Sequence, residues 1–273
     1  MPLPSWRRLG PLRAAALALG LAFLGTAWLA GQGTGRAYED EGPTGSLVDV
    51  VDTTALTLPA ARESADATPS PGRQRGSGAK ITVAEPDPLW LARVAGHTGI
   101  PVVALRAYGR ASVLAASELP HCHLGWTTIA AIGEVESAHG SVGRTHLLQD
   151  GRSSTAIIGP ALDGHDGVAA MRSDAAGAQL HGDATWEHAV GPMQFLPSSW
   201  ARYGADADGD GVADPGDIDD AAWAAARHLC AGGSDLRTGR AWTQAVRGYN
   251  ASDAYVLRVY EVAQGYARSA ARR

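Results

Sequence analysis

The sequence predicts a mainly α-helical domain over residues 88–273, preceded by an export segment and a flexible spacer. Two observations carry this expectation. From Pro88 onward, apolar residues recur at the three- and four-residue spacing of helix faces. Pro, Ser, Asp and Gly stand where helices start and stop. An apolar content of 45% permits a real core, and no internal repeat is visible.

Residues 1–32 combine a basic start (Arg7, Arg8, Arg13) with an uncharged apolar run over 14–30. That pattern marks a signal peptide or a short membrane anchor. Small residues at Ala27 and Ala37 offer two cleavage points, so both readings stay open. Residues 33–87 are rich in Gly, Thr, Ser, Asp, Pro and Ala and read as a flexible linker. A first short helix is expected over 89–95. A second opens at Ile100-Pro101, with Pro at the first helical position, and stops at Pro120. The next spans 126–139 and closes near Gly140. Residues 141–188 are polar, Gly-rich and mostly irregular; a loop of that length inside a compact domain is usually functional. Further helices are expected over 198–203, from an Asp219-Asp220 cap to Cys230, over 241–249, and after a Ser252 cap with Val256, Val259, Val262 and Tyr266 along it.

The net charge of −5 becomes −8 once the three arginines of the export segment are set aside. No basic face remains for phosphates, so nucleic acid is not expected as a partner. Trp (8) outnumbers Phe (2), which suggests flat aromatic surfaces as well as core. In an exported chain, Cys122 and Cys230 are expected to pair. A zinc reading of His121, Cys122, His123 and His139 lacks the paired-ligand spacing of structural sites.

The helix at 126–139 carries the chemistry. Ile129, Ile132 and Glu136 share one stripe. Glu134, two residues away, points about 200° round the axis and is expected to face solvent. A carboxylate on an apolar stripe is costly unless it is neutralised or partnered. Burial raises its pKa, and a protonated carboxyl near neutral pH is what a general acid requires. A structural Glu pairing with an Arg or capping a helix is the competing reading. Asp206, Asp208, Asp210, the Val212 carbonyl, Asp214 and Asp217 follow the spacing of a twelve-residue calcium loop with Gly211 at its sixth position, although the last position is Asp rather than Glu. Gly191-Pro192 sets a tight turn before Gln194, and Tyr249-Asn250 ends a helix.

Four segments occur in order: Glu-Ser-Ala-His-Gly at 136–140, Gly-Pro-Met-Gln-Phe-Leu-Pro-Ser-Ser-Trp at 191–200, the acidic loop from Asp206, and Tyr-Asn-Ala-Ser at 249–252. With this ordered set the chain resembles the lytic murein transglycosylases of lysozyme-like fold, the membrane-bound B type and its exported actinobacterial relatives most of all. The resemblance covers roughly residues 88–270. It implies a peptidoglycan lyase that cleaves the MurNAc–GlcNAc β-1,4 bond and leaves 1,6-anhydro ends. It implies Glu136 as the single acid and base, and Ser137, Met193, Gln194, Tyr249 and Asn250 around the glycan. Calcium in the acidic loop would be structural, and no catalytic cofactor is needed. The Pro-Met before Gln194, the cysteine pair and a shorter catalytic region depart from the family pattern. The expected partner is the glycan strand, the expected state a monomer outside the cytoplasm, secreted or anchored to the outer face of the membrane through residues 14–30. A muramidase using Asp163 or Asp166 as a second carboxylate, and a non-catalytic calcium-dependent wall-binding protein, are the alternatives. Trp126, Trp186 and Trp200 are candidate sugar platforms, although for any one of them core is the stronger reading.

Overall fold

The computed structural model describes residues 85–165 and 168–272. The export segment, nearly all of the linker and Asp166 lie outside them. The described part is mainly helical, as expected, with eight helices and only isolated β-bridges. No helix among the described residues is long and apolar enough to cross a membrane.

Helix α1 (Pro88–Thr98) starts under an Asp87 cap, whose carboxylate accepts from the Leu89 and Trp90 amides, and stops at left-handed Gly99. Helix α2 (Val102–Glu118) begins one residue later than expected, because Pro101 is the N-cap rather than the first helical residue. Helix α3 (Trp126–Ser137) is shorter than expected: Ala138, His139 and Gly140 all have positive φ and unwind its end. A further short helix, α4 (Ala175–His181), sits in the stretch read as irregular, under an Asp174 cap. Helix α5 (Pro197–Tyr203) has Pro at its first turn. Helix α6 (Ile218–Cys230) is capped by Asp217, so Asp219 and Asp220 lie inside its first turn rather than at its cap. Helix α7 (Gly239–Tyr249) starts at Thr238, and α8 (Asp253–Ala270) starts at the expected Ser252.

The core forms where α6 packs along α2 and α8 along α3. Ile129, Ile132, Leu105, Tyr108, Val246, Val259 and Trp242 are fully enclosed in it. Trp242 donates its indole N–H to Thr128 Oγ1 at 3.1 Å, fixing α7 against α3. Cys122 and Cys230 are bonded and tie the entrance of α3 to the end of α6. The zinc reading therefore fails at Cys122, and His139 is engaged by two tyrosines. Charge is buried at the start of α6. Asp219, 2% exposed, faces Arg110 at 2.8 Å and Arg106 at 3.5 Å across α2. Removing either side of such a buried pair strands a charge.

The loop following α3 is irregular but tethered. The Ile218 amide donates to the Gly151 carbonyl at 3.0 Å, the Ser153 amide to Gly216 at 2.9 Å, and Arg106 Nη2 to the Gln149 carbonyl at 3.2 Å. Gly151 has φ +99°, and a Cβ there would lie 2.7 Å from Asp217 Oδ1. The loop thus rests on the N-terminus of α6 by a contact that only glycine permits.

Candidate active site

Glu136 sits in the last turn of α3, partly buried, on the stripe that Ile129 and Ile132 carry into the core. Burial pushes its carboxyl up to about 7, and a hydrogen bond from Tyr255 pulls the other way. Tyr255 Oη donates to Glu136 Oε1 at 2.6 Å. No neighbouring carboxylate figures among the causes of the shift. Glu136 is therefore about half protonated at neutral pH, held by a donor that also supports the anion it becomes.

The turn at 189–195 forms one wall. Val190 and Phe195 exchange backbone hydrogen bonds of 2.8 and 2.9 Å around Gly191–Gln194. A Cβ on Gly191 would lie 1.7 Å from the Pro215 carbonyl oxygen, so the turn is pressed against the end of the acidic loop. Ser137 Oγ donates to the Pro192 carbonyl at 2.6 Å from α3, and Tyr249 Oη donates to the Met193 carbonyl at 2.7 Å from α7. The turn is thereby fixed to the two helices that carry Glu136 and Tyr249.

These contacts describe the surroundings of Ser137 and Met193. Ser137 is 2% exposed, and its hydroxyl is occupied by the Pro192 carbonyl and by the Gly140 amide that donates to it. Its part is to hold the unwound end of α3. The Met193 side chain is fully enclosed, with its sulfur close to Gly133 of α3, so it packs the core and only its carbonyl reaches the wall. Gln194 lies in the same turn with φ +49°, 8% exposed, its Nε2 donating to the Gly191 carbonyl at 2.8 Å. Tyr249 stacks on His228 at 5.1 Å between centroids and meets the edge of Phe195. Burial and the Glu136 charge raise its pKa. Asn250, partly buried, accepts from the Ser252 amide and so shapes the entry to α8.

Tyr255 was not anticipated. Its signal is present in the sequence: Tyr255, Val259, Val262 and Tyr266 lie at the spacing of one helix face. Glu134 also departs from expectation. Rather than facing solvent freely, it lies 3.1 Å from His139 Nε2 and accepts from Tyr266. Among the candidate platforms, Trp126 is buried edge-on to Trp90, Trp200 meets Phe195, and Trp186 carries Arg172 over its ring at 4.0 Å. Asp163, the carboxylate offered for a hydrolytic mechanism, accepts from the His165 amide and is held below its usual range.

In the acidic loop, the carboxylates that converge are Asp206, Asp208 and Asp220, with oxygens within 4.8 Å of one another. Burial and mutual repulsion raise Asp208, and carry Asp220 up to about 7. Such a group needs protons or a cation, and an all-oxygen donor set suits calcium. Asp220 belongs to this group, whereas Asp217 does not. That residue instead accepts from the Asp219 amide at 2.8 Å and caps α6. Asp210 and Asp214 close local turns on the Val212 and Gly216 amides, and Val212 is exposed.

Residues 169–248 match the family model of the transglycosylase SLT domain. The match contains Gln194, the acidic loop and α6, stops one residue before Tyr249, and does not extend to α3 and Glu136. No curated protein matches the chain.

Proposed function

We propose that this chain is a peptidoglycan lytic transglycosylase acting outside the cytoplasm, with Glu136 as its single acid and base. The observation that carries the reading is the Glu136 environment: a carboxyl raised to about 7 by burial and gripped by Tyr255 at 2.6 Å. The transglycosylase SLT match over 169–248 supports the same substrate class.

The protonated carboxyl gives its proton to the glycosidic oxygen between MurNAc and GlcNAc as the C1–O bond breaks. Tyr255 stabilises the carboxylate left behind. That carboxylate then takes the proton of the muramic C6 hydroxyl, whose oxygen closes onto C1 and forms the 1,6-anhydro ring. Glu136 is reprotonated, and no water is consumed. A hydrolase would need a second carboxylate to direct water or act as nucleophile. The backbone-bonded, acid-shifted Asp163 offers no support for that role. Gln194, Tyr249 and Asn250 would shape the wall against which the sugar lies. Calcium at Asp206, Asp208 and Asp220 would hold the loop that backs the 189–195 turn and supply no chemistry.

The discriminating experiment is digestion of purified peptidoglycan in H2-18O. A transglycosylase leaves anhydromuramic ends free of 18O. Reducing muramic ends carrying one 18O would mean hydrolysis. A folded chain that releases nothing would leave the wall-binding alternative.

A further inference from the structure

A pocket of about 510 Å3 opens beside α3, and neither Glu136 nor Tyr255 is among the residues that line it. Its volume falls in the range of small-molecule sites. The walls come from α1 (Thr98, Gly99), the end of α3 (Glu134, His139) and α8 (Gly265, Tyr266). Three features of these walls point to one kind of ligand.

First, Glu134 is the only charged wall group. His139 is neutral at physiological pH, since burial lowers its pKa to about 4. Both its ring nitrogens are engaged, Nδ1 with Tyr108 Oη at 2.9 Å and Nε2 with Tyr266 Oη at 2.8 Å. No Lys or Arg lines the pocket. Arg258 of α8 lies 3.9 Å from Glu261, although its charge still reaches Tyr266, and Arg268 donates to Gln264.

Second, three helices end here. α1 stops at Thr98, α3 at Ser137, and α8 at Ala270, one residue beyond Ser269 on the rim. Helix C-termini carry partial negative charge and favour cations.

Third, the floor contains a glycine with no packing reason to be one. Gly265 lies inside α8, and a Cβ there would meet nothing within 4 Å. Glycine is unfavourable in a helix interior, and at this position it leaves that part of the pocket wall without a side chain.

We propose that this pocket is a binding site for a primary ammonium group, which would join Tyr266 Oη and His139 Nε2 as a further partner of the Glu134 carboxylate, with its carbon chain over Gly265. The shared chemistry fits either a free small amine or the side-chain amine of a diamino acid within a peptide. Titration calorimetry on the full-length chain with 1,5-diaminopentane, Nα-acetyl-lysine methylamide and 1-pentanol separates these sources. Binding of an amine but not of pentanol is expected: the blocked lysine alone identifies a chain-borne amine, the diamine alone a free one, and both a site for either. Glu134→Gln should weaken that binding roughly tenfold, the loss of one ion pair in a partly open pocket. Gly265→Leu should abolish it while leaving the melting temperature unchanged or higher. Equal binding of pentanol, wild-type affinity in a folded Gly265→Leu chain, or no amine binding at millimolar concentration would each overturn the site.

Discussion

Replacing Glu136 by Gln should stabilise the protein at alkaline pH, and by a calculable amount. The folded carboxyl is raised from 4.5 to about 7, so between these values the folded state holds more proton than the unfolded one. Stability supplied by the neutral carboxyl is full below about pH 4.5 and is lost as pH rises through about 7. A shift of that size corresponds to about 3–4 kcal/mol in full, and to roughly 2–3 kcal/mol once discounted for the solvent that reaches a partly buried group. Gln keeps the shape, can still accept from Tyr255, and does not titrate. The difference in unfolding free energy between Glu136→Gln and wild type should therefore grow by about 2–3 kcal/mol from pH 4.5 to pH 8, a gain of some 4–10 °C in melting temperature at pH 8. Asp217 and Asp220, also raised to about 7, contribute equally to both proteins and cancel. Chemical denaturation of the two chains across that pH range measures the difference. A difference that stays flat with pH would refute the raised pKa and, with it, the acid role derived from burial.

Tyr255→Phe removes the bond that lowers the Glu136 pKa, so the alkaline limb of kcat/KM should move up by about one pH unit while the plateau falls roughly tenfold; a lower plateau with an unmoved limb would assign Tyr255 to packing alone. Replacing both Cys122 and Cys230 by Ser opens a loop with a separation of 108 residues, for which about 4–5 kcal/mol and a drop of roughly 10 °C or more are expected in thermal unfolding. Calcium should raise the melting temperature and a chelator reverse it; Asp220→Asn should abolish the response, whereas Asp217→Asn, which strips only a helix cap, should retain it.

Helix positions were legible because their signals are local: Ser252 caps α8 as read, and the shorter bounds expected for α1 and α7 come from passing over Asp87, Gly99 and Thr238, which cap and stop them. Glu136 was legible because it interrupts an apolar stripe. What escaped depends on tertiary contacts. Ser137 and Met193 flank the site in sequence, yet the unwinding after Ser137 and the turn at 191–194 direct their side chains inward. The twelve-residue spacing runs from Asp206 to Asp217; that Asp217 also caps α6 and that Asp220 lies beside Asp206 and Asp208 follow from the fold and not from the spacing. Glu134 looked like the solvent-facing control because periodicity cannot show that α8 brings Tyr266 to the same side. α4 was missed because its seven residues are too few for a periodic pattern.

The central claim is that one carboxyl group both protonates and deprotonates. Mass spectrometry of purified peptidoglycan digested with wild type and with Glu136→Gln, with calcium present, tests it most directly. The account predicts anhydromuramic products from wild type and none from the variant, whose fold the pH series verifies independently. Anhydromuramic products from a folded Glu136→Gln chain at rates near wild type would contradict it and place the acid elsewhere.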